Sequence, residues 1–409
     1  MKKIIALLLA VMMIVGMFAG CGKKTEAITL KVWAPQEDHG DDSKWLNQML
    51  KKFEEAHPEY EITWEIGVCG EGDAKTLVGT DPSAAGDVFM YANDQIGELL
   101  NAGALSKLGG EYADYVKNNF SATYVNAVTY NGEIYGFPMT CNTWFMYYNK
   151  SLVNDEDIKT LEGLLAKGTV AFPMTTAWYN GALFLGNGCT LFGETNADAA
   201  AGIQFGGEAG YAAAAKMVEL MAHPNFIDDA DGKGNAGLKD GSVVAYFNGS
   251  WEYHNDEGTG VYDVLGENLG AAGMPSVTID GKEVKLTAMA GAKVVGVNPH
   301  TKNPKAAMEL AAFLASEEAQ LARFEIRGIT PAVASLASNE KVMASAVAKA
   351  EMDAMNNCSV LQPSLPEMGV YWDAMGTFGA NIKNGVVTAD NYKAEVDKLM
   401  EALNPNGGL

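Results

Sequence analysis

Five histidines, at positions 39, 57, 223, 254 and 300, and four internal cysteines, at 69, 141, 189 and 358, are the side chains of this 409-residue chain best suited to hold a metal or start a nucleophilic reaction. Their spacing supports neither. No two histidines form HExxH or another metal-binding pair, the cysteines form no CxxC, and GxSxG is absent. Gly232-Lys233-Gly234-Asn235-Ala236-Gly237 matches GxGxxG, but it follows an acidic run, Asp228-Asp229-Ala230-Asp231, where a dinucleotide fold needs a strand. Asp229, Asp231 and Asp240 half-match a calcium loop, but Lys233 stands where an Asp or Asn is wanted and would repel a cation, so an ordinary turn is expected. The many carboxylates leave glycoside hydrolysis chemically open, since it needs two of them, yet no pair is singled out. The four thiols allow two disulfides in three connectivities or four buried free thiols, and spacing does not choose between them.

The beginning of the chain reads as a processing signal. Lys2 and Lys3 precede an uncharged apolar run from Ile4 to Gly20, which closes on Phe18-Ala19-Gly20-Cys21. Small residues before a cysteine, followed by the polar Gly22-Lys23-Lys24-Thr25-Glu26, resemble the lipobox of bacterial lipoprotein precursors. That resemblance implies a signal peptide over 1–20, lipid on Cys21 and a linker over 21–26. Its 17 apolar residues are at the short end for a membrane span. Removal leaves 389 residues, enough for two lobes, and loss of two lysines takes the charge from −22 to −24. So acidic a surface repels nucleic acid and anionic lipid and suits a neutral or cationic ligand. A hydrophobic content of 48% excludes disorder.

Strands and helices alternate after the linker. Ile28 to Trp33 alternates as a strand, and Trp45, Leu46, Met49, Leu50 and Phe53 recur at helical spacing within 42–56. His57-Pro58 ends that helix. Strands are expected at 60–66 and 86–91, with a short helix over 96–100. Beyond residue 140, strands at Ala171, 243–247 and 293–297 alternate with helices over 181–185, 212–222 and 304–314, and helices run on to Leu403. This order predicts an α/β fold with a largely parallel sheet. Trp178-Tyr179 is read as a loop beside Thr175 and Thr176, and Trp251 as a strand end after Asn248-Gly249. Trp33, Trp45 and Trp64 belong to faces expected to be buried.

Ordered landmarks run along nearly the whole mature chain. They are Leu30-Lys31-Val32-Trp33, Phe53-Glu54 before His57-Pro58, Gly86-Asp87-Val88-Phe89 with Ala92-Asn93-Asp94-Gln95, and Tyr130 to Pro138. Tyr147-Tyr148-Asn149-Lys150, Phe247-Asn248-Gly249-Ser250-Trp251, and Pro366 with Tyr371-Trp372 complete them. As an ordered set they resemble the extracellular solute-binding proteins of ABC importers, most nearly the maltose and maltodextrin binders. The resemblance implies a two-lobed periplasmic-binding-protein type II fold with a ligand cleft between the lobes. One lobe is expected over 27–140 and 291–340, the other over 141–290 and 341–409.

Sugars present apolar C–H faces rimmed by hydroxyls, so their sites need flat aromatic platforms with planar amide or carboxylate partners. The resemblance places Trp178, Trp251 and Trp372 in the cleft, and Tyr91 where the family usually has a Trp. Asp94 matches a hydroxyl-binding Asp, and Gln95 replaces an Arg that often follows it. Glu37 falls at an acidic sugar ligand, with Asp38 in place of a Lys. Asn142 replaces a Glu on a crossing segment, Trp144 is an added aromatic, and Glu71 and Asp73 occupy a loop expected to face the cleft. The family implies binding without catalysis, no cofactor and no metal. It also implies a monomer on the extracellular face of the cell membrane, held by its lipid alone and partnered by an oligosaccharide and the membrane permease subunits of an importer.

Overall fold

The computed structural model describes residues 25–194, 196–255 and 257–405. The apolar leader and Cys21 lie outside the described residues.

Strand Glu26–Ala34 buries Ile28, Leu30, Val32 and Ala34 on one face. It runs parallel to both Tyr60–Val68 and Val88–Ala92. Helix Trp45–Ala56 lays its stripe of Trp45, Leu46, Met49, Leu50 and Phe53 on that sheet and stops at His57, because the residue before a proline is sterically kept out of the helical region. Trp45 is fully buried, and its indole donates to Ala319 O at 2.7 Å. Trp33 and Trp64 are half-buried. The sheet continues through antiparallel Ala288–Val297 to Ser359–Leu361, and Phe137–Asn142 also pairs with Ala288–Val297. The second large sheet orders Phe226–Asp228, Val170–Phe172, Ala245–Asn248, Phe145–Asn149 and Leu269–Ala272. Parallel and antiparallel pairs mix in both sheets, so the expectation of a largely parallel sheet is corrected in part.

Two large hydrophobic cores result, beside a small cluster of Phe324, Val342 and Ala348. Leu30, Trp45, Phe89, Phe137, Val294 and Leu310 belong to one. Phe145, Phe172, Phe184, Tyr246, Tyr371 and Leu399 belong to the other. The chain passes between them near residue 142 and again between Met289 and Ala290, and helix Ala346–Asn357 packs against both. Cys141 sits in the first core and Trp144 in the second; Met289 in the second and Ala290 in the first; Ala354 in the second and Met355 in the first.

All four described cysteines are buried free thiols, the second of the two alternatives left open by their spacing. Gly232 caps helix Lys233–Asp240 in the left-handed conformation, so the glycine-rich stretch is mostly helical where a turn was expected. Asp229 accepts the Gly234 N–H there, and burial raises its carboxyl to about 6. Among the described residues no group of three or more metal-ligating side chains occurs, and no helix is long and apolar enough to cross a membrane.

Candidate ligand-binding site

Trp178 sits in a helix, Ala177–Gly186, and not in the loop expected from its threonine neighbours. Thr175 is pinned by Asp228, which accepts both its N–H and its hydroxyl at 3.0 and 3.1 Å. The helix then starts at once and packs tightly on helix Gly369–Lys383. Tyr371 donates to Ala177 O at 2.9 Å, and a Cβ at Gly181 would stand 2.1 Å from the Tyr371 hydroxyl, so glycine permits the approach. The buried Asn180 amide donates to Met174 O and Met375 O. These contacts fasten the helix that carries Trp178 to the helix that carries Trp372, and both indoles line one cavity.

Trp251 comes from a third element. Strand Ala245–Asn248 ends at Gly249, and the Trp251 ring lies over that glycine, where a Cβ would be 2.0 Å from it. Tyr147 holds Gly249 O at 3.0 Å, and Tyr179 donates to Asn248 at 3.2 Å. The Trp178 and Trp251 rings are stacked, 6.0 Å apart at 28°, and Trp251 remains 38% exposed. An exposed aromatic face held this firmly is a platform for a flat apolar ligand surface.

The facing wall comes from the other core. Asp94 lies in a short turn, Asn93–Gln95, directly after strand Val88–Ala92. Burial raises its carboxyl, and Lys293 opposes that shift. Asp94, Asn142, Lys293 and Gln362 join Trp178, Trp251 and Trp372 around a cavity of about 270 Å3. Trp178 Nε1 donates to Gln362 Oε1 at 3.2 Å. A larger hollow of about 520 Å3 between helices Gly369–Lys383 and Tyr392–Leu403 is mainly apolar and has no aromatic platform beyond Phe378. It does not face the other core, so the smaller cavity is the better candidate.

Of the residues expected in the cleft, Asp94, Asn142, Trp178, Trp251 and Trp372 are brought together. The others are not. Tyr91 is fully buried in the first core and donates to Tyr135 O, and Trp144 is fully buried between Phe172, Tyr179 and Phe247. Tyr91 lies in strand Val88–Ala92, which is covered on both faces, and Trp144 lies just before strand Phe145–Asn149, enclosed by those rings; in both places an aromatic is packing material. Gln95 spends its amide on the 71–75 loop, donating to Glu71 O and Gly72 O and accepting Lys75 N–H. Glu71 reaches Arg323 at 3.4 Å, while Glu37 and Asp73 are exposed and line none of this cavity. Asp38 turns inward to Arg323 and Arg327 at 2.8 and 2.9 Å; burial pushes its carboxyl up, and the two guanidinium groups more than offset that. Lys293 and Gln362 had not been expected. A lone lysine inside the apolar run Ala288–Val297 was the available signal for the first.

Comparison with known proteins follows the same lines. A family model for bacterial extracellular solute-binding proteins matches residues 48–351. A maltooligosaccharide ABC transporter solute-binding lipoprotein of Streptococcus pneumoniae is 26% identical over 87% of this chain and 86% of its own length. A galactooligosaccharide-binding protein of Bacillus subtilis is 25% identical over the same shares. Among solved structures, a complex with acarbose is 44% identical with a TM-score of 0.87, covering 93% of this chain and 99% of that one. A maltodextrin-binding protein from L. casei BL23, solved without ligand, is 28% identical with a TM-score of 0.83, covering 92% and 99%. The two-core architecture and these likenesses agree: this chain belongs to the bacterial extracellular solute-binding proteins, a family of binders and not of enzymes, and resembles its maltose- and maltodextrin-binding members.

Proposed function

We propose that the protein captures an oligosaccharide, a maltodextrin before others, and delivers it to an ABC importer. One observation carries this: three tryptophans from separate elements of one lobe meet an acid, a lysine and two amides across a single cavity. Indole faces cover the C–H faces of sugar rings, and the polar groups take the hydroxyls, which are donors and acceptors at once. The lobes, 27–140 with 291–340 and 141–290 with 341–409, close on the ligand because contacts from both sides exist only in the closed state. Cys21 carries lipid, so the protein stands on the extracellular face of the cell membrane as a monomer, with the permease subunits as its partner.

A second sugar class has support of its own, since a relative of nearly equal identity is named for galactooligosaccharides. The two are separated by thermal shift of the mature protein with malto-oligosaccharides and galacto-oligosaccharides in parallel. A rise in melting temperature with the first alone supports maltodextrin, a rise with the second alone replaces it, and no rise with either removes the carbohydrate reading. Chromatography of the same mixtures should show the sugars intact.

A further inference from the structure

Nine of the ten residues of strand Ala288–Val297 are buried, and the tenth is Lys293. It pairs with Ala92 on one side and Thr140 on the other. Side chains two apart on a strand share a face, and Asn142 is two beyond Thr140, so Lys293 and Asn142 look out on the same side, into the cavity they both line. Between Lys293 and Val294 the register slips, leaving Met139 as the extra residue beside Pro138, which has no N–H for the ladder. Such bulges re-aim side chains next to binding sites.

A second contact fixes what lies beside this lysine. Asn93 Oδ1 accepts the Ala292 N–H at 2.9 Å, and a Cβ at Gly291 would stand 2.0 Å from that same oxygen. The residue before Asp94 is thus fastened to the residue before Lys293. The fold brings a carboxylate and an ammonium to one cavity wall, yet no ion pair within 4.0 Å joins them or engages either one among the described residues. A carboxylate only accepts and an ammonium only donates, whereas a hydroxyl does both and can sit between them.

We infer that Lys293 is a ligand-contacting, specificity-determining residue, and that Asp94 and Lys293 form an acceptor–donor clamp for one hydroxyl, or one vicinal pair, of the bound sugar. This rests on the carbohydrate function proposed above. The test is calorimetric titration of the mature protein with maltotriose, comparing wild type, Lys293→Met and Lys293→Arg, with the melting temperature of each measured without sugar. Loss of a hydrogen bond from a charged donor should weaken binding about 10- to 100-fold in Lys293→Met. Lys293→Arg should recover most of it, and the sugar-free melting temperatures should agree. Wild-type affinity in Lys293→Met overturns the clamp and leaves the carbohydrate reading standing. A loss that tracks a lowered sugar-free melting temperature and is not rescued by arginine also overturns it, since the lysine would then be structural. Failure of wild type itself to bind maltotriose or any other sugar removes the carbohydrate reading and the clamp together.

Discussion

Replacing Glu351 by glutamine should stabilise the protein at neutral and alkaline pH and leave it unchanged in acid. Glu351 is fully buried on helix Ala346–Asn357. The Thr330 and Ser250 hydroxyls and the Thr143 N–H face its carboxyl, but none makes a hydrogen bond of good geometry to either oxygen. The other titratable groups around it are Tyr124, Cys141 and Tyr147, with no cation among them. Burial therefore raises the carboxyl from 4.5 to about 8. The sign follows directly. The unfolded chain releases this proton near 4.5 and the folded protein holds it to about 8, so the stability present below 4.5 is lost as pH rises through that window. At about 1.4 kcal/mol per unit, the loss is roughly 3 kcal/mol at pH 7 and about 5 above pH 8. Glutamine keeps the shape and has no proton to lose. Urea unfolding of both proteins, followed by tryptophan fluorescence at pH 5, 6, 7 and 8, reads the difference directly, and Asp229, raised in the same direction, is common to both and cancels. Wild-type and variant stabilities that run parallel across this range would refute the reasoning.

Trp45→Ala, which empties a fully buried site, should cost about 3–5 kcal/mol of stability by urea unfolding while the folded fraction keeps its affinity for maltotriose. Gly249→Ala should push the Trp251 ring off its seat and lower maltotriose affinity about tenfold or more, with a stability loss of only about 1–3 kcal/mol, as read by calorimetry beside unfolding. Cys21→Ala should release the protein to the medium or leave its precursor uncleaved; normal processing and membrane retention, seen by fractionation, would contradict the lipid anchor.

Much of the scaffold was legible because its signals are local. Helix Pro304–Leu314 has the bounds its proline start and apolar spacing suggest, and Trp45 falls on the buried stripe its period indicates. The misplacement of Trp178 has a physical cause. Helix Ala177–Gly186 is buried nearly all round, so it has no polar face and no amphipathic period to reveal its first turn. Tyr91 and Trp144 were misassigned for a related reason: strand Val88–Ala92 is covered on both faces and Trp144 is packed in by rings on several sides, so neither pattern shows which way an aromatic points. Gln95 illustrates a different limit. Its type suits sugar hydroxyls, but its amide is consumed by the main chain of a loop some twenty residues away, which only the folded geometry discloses. Asp38 is similar, since its arginines come from a helix nearly three hundred residues further on.

The most direct test of a sugar held on indole platforms is calorimetric titration of maltotriose into wild type, Trp251→Ala, Trp372→Ala and Asn142→Ala. Each platform desolvates a whole ring face, whereas a hydroxyl bond to an amide largely exchanges water for protein. The two tryptophan variants should lose about 2–4 kcal/mol of binding free energy and the asparagine variant about 1–2. Equal affinity in wild type and both tryptophan variants would contradict a sugar site at this cavity.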